Sequence, residues 1–217
     1  KDLEILNKNF NQMIERLKDQ QDKLIMNESD KDNFKDNLKI INNQIKQIEK
    51  LVNEFSDFAR MPKPIFQPNN LVELMDENIK LLQELDKTID IEFIKNTEEI
   101  VLNSDKEQLG RVFLNLIKNS IESIHQKIEK NINSNKKITI ELNNQDDHIK
   151  LTIIDTGIGF GELKSKIKDI LNPYFTTKKD GTGLGLSIVN KIVNDHNGNI
   201  DFISLDNGAK IKIVFSK

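Results

Sequence analysis

Four stretches of this chain combine residue types and spacings that suit nucleotide chemistry. Asp155 ends an apolar run and is followed by Thr156-Gly157-Ile158-Gly159-Phe160-Gly161. A carboxylate at a strand end can accept a hydrogen bond from an exocyclic amine, such as that of adenine, and glycines beside it let backbone approach a flat ring. Gly181-Thr182-Gly183-Leu184-Gly185-Leu186-Ser187 runs into an apolar periodic segment. Free N–H groups at a helix N-terminus, with the helix dipole, favour anions, and three alternating glycines leave room for phosphates. This is not a P-loop, because no Gly-Lys-Ser/Thr follows a strand, nor a dinucleotide fingerprint, because Leu186 stands where the last glycine belongs.

Asn115 and Asn119 are four apart on a predicted helix and share a face. A neutral amide oxygen can bind a Mg²⁺ that also holds phosphate oxygens. Pro173-Tyr174-Phe175-Thr176-Thr177-Lys178 sets aromatics in a Gly- and Lys-rich loop. They can pin a lid over a nucleotide, and Lys178 can meet a terminal phosphate as a point charge. Each stretch alone also has a plain reading: an Asp-Thr-Gly turn, a glycine-rich cap, two solvated asparagines, a loop held by its aromatics.

The elements that must position these residues follow from periodicity. Residues 1–59 hold no Gly or Pro, and apolar residues recur in alternating steps of three and four. The first run is Leu3, Leu6, Phe10, Met13, Leu17 and Leu24; the second is Phe34, Leu38, Ile41, Ile45, Ile48, Val52, Phe55 and Ala59. So narrow a stripe is a coiled-coil or bundle seam and implies a partner helix. Ser29 or Asp30 can cap a second helix, giving a hairpin, yet the heptad phase continues through 27–31 as in one long helix. Met61-Pro62-Lys63-Pro64 marks the clearest boundary. Beyond it the patterns predict a helix over 70–85, strands at Ile89–Ile94 and Ile100–Leu102, and a long helix from Asp105 to about Lys130. Paired strands at Ile138–Leu142 and Ile149–Ile154 follow, then a helix from Leu184 to about Asp195, and closing strands at Ile200–Ser204 and Ile211–Phe215. Hairpin strands with long helices on one side make an α+β, two-layer domain.

Composition removes other classes. The net charge is −3, from 32 basic and 35 acidic residues, so no basic excess attracts nucleic acid. No cysteine is present, which excludes disulfides, thiolate zinc sites and Cys nucleophiles. No run approaches the roughly 18 apolar residues that span a bilayer. The chain opens on Lys1 rather than Met, so an excerpt with a possible upstream membrane segment is expected.

In order, the four stretches resemble the N box, first G box, F box and second G box of sensor histidine kinases, whose ATP-binding fold is shared with DNA gyrase, Hsp90 and MutL-type ATPases. Asp105-Lys106-Glu107-Gln108-Leu109 is similar to their lead-in, and Gly208-Ala209-Lys210-Ile211-Lys212-Ile213-Val214-Phe215 to their last strand. The resemblance covers about residues 67–217 and implies a histidine kinase-like ATPase fold with ATP and Mg²⁺ as cofactors. It implies Asn119 as metal ligand, Asp155 as adenine acceptor with Gly157 and Gly159 beside the ring, and Phe175 as the F-box aromatic. It implies Gly181, Gly183 and Gly185 as glycines of a lid over 160–183, with Lys118 and Lys178 as phosphate contacts. Asn115, Thr176, Thr177, Thr182, Leu184 and Leu186 complete the implied ATP contacts. The hydrolysing ATPases carry a glutamate four before the metal asparagine; Asn115 cannot take a proton there, which points to phosphoryl transfer onto a protein side chain.

Leu3-Glu4-Ile5-Leu6 with Phe10-Asn11-Gln12-Met13 resembles the exit helix of a HAMP linker. Leu51-Val52-Asn53-Glu54-Phe55-Ser56-Asp57-Phe58-Ala59-Arg60-Met61-Pro62 resembles the end of the second dimerisation helix in nitrogen-regulation kinases of the NtrY type. The expected organisation is a HAMP-exit-like helix over 1–27, a dimerisation-type helix over 28–61, a Pro-containing linker over 62–69 and the ATP-binding domain over 70–217. The resemblance implies a homodimer through the N-terminal helices, a response-regulator receiver domain as partner, and the cytoplasmic part of an inner-membrane protein. One element is missing: residues 1–62 contain no histidine, so no phosphoacceptor motif is found. His125, His148 and His196 are expected to be structural or solvent-facing. An excerpt with an internal gap, a truncated gene and a kinase lacking its acceptor all fit. The alternative function is an ATP-binding regulatory module without kinase activity.

Overall fold

The computed structural model describes residues 31–130, 132, 135–161, 169–178 and 181–217, with side chains at 31–35, 50 and 57 left out. The expectations for residues 1–30, including the HAMP-like helix and the choice between hairpin and continuous helix, lie outside the described residues. So do 162–168, 179 and 180 of the expected lid. The chain divides into two units, one of residues up to Met61 with Ile170–Leu184, the other of Pro62–Asp169 with Gly185–Lys217.

The first unit carries helix α1 (Lys31–Ala59). Nothing in its sequence interrupts the hydrogen-bond ladder, which runs on to the Arg60 N–H donating to the Ser56 carbonyl at 2.9 Å, two residues before a proline. Leu38, Ile41, Ile45, Ile48 and Val52 keep the three-four spacing and remain 43 to 49% exposed, so the described residues leave this seam half open.

In the second unit the order is β1 (Gln67–Asn70), α2 (Leu71–Leu85), β2 (Asp90–Lys95), β3 (Val101–Ser104), α3 (Lys106–Glu129), β4 (Lys137–Asn144), β5 (His148–Asp155), α4 (Gly185–Asp195), β6 (Gly198–Ser204) and β7 (Ala209–Ser216). Five strands form one sheet in the order β2-β4-β5-β7-β6. Only β2 and β4 in it run parallel. Alternation makes the layer: Ile138, Ile140 and Leu142, then Ile149, Leu151 and Ile153, then Ile211, Ile213 and Phe215 all turn to one buried face. The register stacks them, with Ile140 opposite Ile153 and Leu151 opposite Ile213. Helix α3 lays Leu109, Val112, Phe113, Leu116, Ile117 and Ile124 on that face, and α4 adds Ile188, Val189, Ile192 and Val193. Each such side chain stabilises the fold by about 1.5–3 kcal/mol. The expected α+β two-layer architecture is present.

Caps set where the helices begin. Asn70 Oδ1 accepts from Val72 N–H at 3.1 Å, starting α2, and from Ile100 N–H at 3.2 Å, tying that start to β3. Asp105 starts α3 by accepting from Gln108 N–H at 3.0 Å, while its other oxygen accepts from Ile65 N–H at 2.8 Å.

Two features differ from the sequence reading. Gln67–Asn70, mostly within the expected linker, is a strand that pairs antiparallel with β3. Gln-Pro-Asn-Asn has no strand pattern; a two-stranded ladder has only edges, which tolerate Pro68, and Asn69 Nδ2 donates across it to Ser104 O at 2.7 Å. The short strand expected at Ile100–Leu102 runs from Val101 to Ser104 because the Ile100 N–H goes to the Asn70 cap.

Candidate nucleotide site

Steps of two from Ile149, Leu151 and Ile153 arrive at Asp155, so the pleat that buries the aliphatics turns this carboxylate toward the same face. Asp155 is 3% exposed. Its Oδ1 accepts from Gly157 N–H at 2.9 Å and its Oδ2 from the Ser120 hydroxyl at 3.4 Å. Burial pushes its carboxyl above the usual range, opposed by the N–H groups of Gly157 and Ala209, the Ser120 hydroxyl and the charge of Lys127.

The loop after Asp155 packs closely at two of its glycines. A β-carbon on Gly157 would lie 2.1 Å from Ser123 Oγ and 2.7 Å from its carbonyl carbon. Gly159 has φ of +65°, and a β-carbon there would lie 2.5 Å from the Gly208 carbonyl oxygen. Ile158 N–H donates to Ser123 O at 3.3 Å. The loop is thus wedged between α3 and the β6–β7 turn.

Asn115, also on α3, donates through Nδ2 to Arg111 O at 2.8 Å. Its Oδ1 lies 3.2 Å from the place of a β-carbon on Gly185, the first residue of α4. The start of α4, whose first N–H groups have no intrahelical acceptor, therefore lies beside Asn115. Asn119 is half-buried and precedes Ser120, the donor to Asp155; Lys118 is exposed and Leu186 half-buried. One helix thereby carries Asn115 against Gly185, and Ser120 and Ser123 against Asp155 and Gly157. Among the described residues no group of three or more His, Cys, Asp or Glu could hold a metal. A divalent ion here would depend on the Asn119 amide and phosphate oxygens. A buried carboxylate acceptor near the start of a helix fits a nucleotide.

The remaining predicted residues belong to the other unit. Tyr174 N–H donates to Gly183 O at 3.0 Å, closing the aromatic stretch onto the glycine stretch. Gly183, with φ of +71°, lies so close that a β-carbon would stand 2.4 Å from the Tyr174 carbonyl carbon. Thr176 Oγ1 accepts from Lys178 N–H at 3.1 Å and would stand 2.4 Å from a β-carbon on Gly181. Phe175 is half-buried, Thr177 exposed and Leu184 buried. The Thr182 hydroxyl donates to the Glu54 carboxylate of α1.

Ser120, Ser123, Lys127 and Asn207 are the site residues the sequence reading missed. Lys127 donates to Thr156 O at 2.8 Å and to Asn207 Oδ1. A signal existed for part of this set, because Asn115, Asn119, Ser123 and Lys127 recur every four residues and form one polar stripe. Asn207 carried no signal, since only the hairpin brings it near. His196 is buried, with Nδ1 2.8 Å from Ile192 O and Nε2 accepting from Asp105 N–H at 3.0 Å. His125 pairs with Asp86 at 2.6 Å, and His148 with Asp147.

Known proteins share this fold. The nucleotide-free catalytic domain of the histidine kinase ThkA has a TM-score of 0.60 at 31% identity, over 70% of this chain and 96% of its own. ThkA in complex with the response regulator protein TrrA has a TM-score of 0.73 at 22% identity, over 99% of this chain and 63% of that one, a likeness of fold. A putative sensor histidine kinase NtrY-like protein of Rickettsia felis is 34% identical over 188 residues, which are 86% of this chain and 30% of the relative. This chain thus spans about a third of the length of such relatives. Residues 104–217, from the end of β3 to the last strand, match the histidine kinase-, DNA gyrase B- and HSP90-like ATPases. With more than half of its residues matched, the chain belongs to that ATPase family.

Proposed function

We propose that the chain is part of a sensor histidine kinase, binding Mg²⁺-ATP for phosphoryl transfer to a histidine and then to a response-regulator receiver domain. The observation that carries this reading is the buried Asp155 carboxylate at a strand end, beside backbone that admits no side chain at Gly157. In this reading Asp155 accepts from the adenine amine, with Gly157 and Gly159 beside the ring, their lack of side chains letting the loop seat against Ser123 and Gly208. Gly181, Thr182, Gly183, Leu184, Gly185 and Leu186 serve the phosphates through backbone N–H groups, with Lys118 and Lys178 as point charges. Phe175, Thr176 and Thr177 belong to the loop that orders these donors. Asn119 holds Mg²⁺, which when bound neutralises phosphate charge. The protein's contribution is placement and fixed donors rather than covalent chemistry.

Transfer rather than hydrolysis is supported by Asn115, whose Nδ2 is committed to Arg111 O and whose oxygen is a weak base. The exposed seam of α1 supports a homodimer through this helix. Among the described residues no helix is long and apolar enough to cross a membrane; a HAMP linker and an upstream membrane segment, with this part in the cytoplasm, remain part of the proposal. A second reading, a regulatory module that binds ATP and engages a partner kinase, is favoured by the lack of histidine in residues 1–62.

Calorimetric titration with Mg²⁺-ATP, followed by γ-labelled ATP and a search for acid-labile phosphate, tests these. Binding with transfer to an added acceptor domain supports the kinase. Binding and partner engagement without transfer supports the module, and no binding removes both.

A further inference from the structure

Lys127 is a lysine only 7% exposed, two helical turns beyond Asn119 on α3. Its ammonium donates to Thr156 O at 2.8 Å and to Asn207 Oδ1 in the β6–β7 turn. Neither acceptor is charged. Burying an ammonium on neutral partners is costly where an apolar side chain could fill the space, so packing does not account for this residue.

The peptide it grips is informative. The Thr156–Gly157 peptide presents its carbonyl to Lys127 and its N–H to Asp155 Oδ1, the latter at 2.9 Å. Lys127 therefore fixes the plane of the peptide that aims the carboxylate. Asn207 also accepts from the ammonium, and its neighbour Gly208 lies so close that a β-carbon would stand 1.8 Å from Asp155 O. The charge of Lys127 also favours the ionised form of the buried Asp155.

We infer that Lys127, braced by Asn207, is a positioning residue that sets the orientation of Asp155 and hence affinity and selectivity for adenine nucleotides. The inference rests on Asp155 as base acceptor, and the test separates the two. ADP and GDP are titrated without metal into the wild-type chain and into Asp155→Asn, Lys127→Met, Lys127→Arg, Asn207→Ala and Asp155→Asn/Lys127→Met, with circular dichroism to establish folding. Lys127→Met is expected to lose about tenfold in ADP affinity and less for GDP, Lys127→Arg to recover most of it, and Asn207→Ala to lose about threefold. In the Asp155→Asn background Lys127→Met should cost nothing further.

Wild-type ADP affinity in folded Lys127→Met, or equal losses with and without Asp155, would overturn the inference. If Lys127→Met does not fold, Asn207→Ala decides, because its exposed side chain leaves the core intact; wild-type affinity there overturns the inference. A wild-type chain that ignores ADP, or Asp155→Asn binding like wild type, removes the reading of Asp155 and the inference with it.

Discussion

Asn115 Oδ1 stands 3.2 Å from the point a β-carbon would take on Gly185, while its Nδ2 is held by Arg111 O at 2.8 Å. The amide is held on one side, so a β-carbon at the start of α4 would have to push it back by a few tenths of an ångström. Gly185→Ala is expected to lower stability by about 0.5–1 kcal/mol through this contact, offsetting any gain in helix propensity. Asn115→Ala in the same chain should relieve the clash. A urea-denaturation double-mutant cycle checks this; additive single effects would show that the contact does not couple the two helices.

Asp155 links stability to function with opposite signs. Its carboxyl titrates above the usual range because burial disfavours the charge. The folded state therefore holds its proton to higher pH than the unfolded chain. This contribution to stability is complete below the unfolded value near 3.8 and is lost as pH rises through the folded value. Above the folded value the ionised group is a burden that Asp155→Asn removes. That variant should gain stability relative to wild type as pH rises through the folded value, with the gain vanishing toward pH 4, while losing ATP affinity more than GTP affinity. Thermal melts across pH and nucleotide titrations measure both. Equal losses for the two nucleotides would contradict the adenine role.

Asn119 offers an amide oxygen where the described residues provide no carboxylate cluster. Asn119→Ala should reduce Mg²⁺-ATP affinity by about tenfold while leaving metal-free ADP binding within about twofold. Calorimetry with and without the metal distinguishes these, and an unchanged response to Mg²⁺ would remove the metal assignment.

His196 has both ring nitrogens engaged, with the Ile192 carbonyl and the Asp105 N–H, and its ring meets Phe66 edge-on at 5.1 Å. His196→Leu leaves a buried donor unpaired at the cap of α3, and a loss of about 2–3 kcal/mol is expected in urea denaturation. No phosphate should appear on this residue, because both nitrogens are already committed. Label mapped to His196 by mass spectrometry would contradict that.

Local periodicity made much of this protein legible from sequence. The two-residue repeat of β4, β5 and β7 and the apolar face of α3 defined the layers, and the glycine stretches and Asp155 marked the candidate site. These signals are local: a strand's alternation and a helix's stripe are written within ten or twenty residues. The structure alone decided what depends on partners distant in the chain. Gln67–Asn70 became a strand because Val101–Ser104 offered it a ladder, not because Gln-Pro-Asn-Asn favours one. The parallel pairing of β2 with β4 depended on a crossover through α3, which alternation does not encode. Lys127 looked like one of many solvated lysines until folding set Thr156 and Asn207, 29 and 80 residues away, around its ammonium. Sequence therefore determined which residue types were available at the site. Tertiary structure decided which of them hold the others in place, because hydrogen-bond partners are chosen by distance in space rather than along the chain.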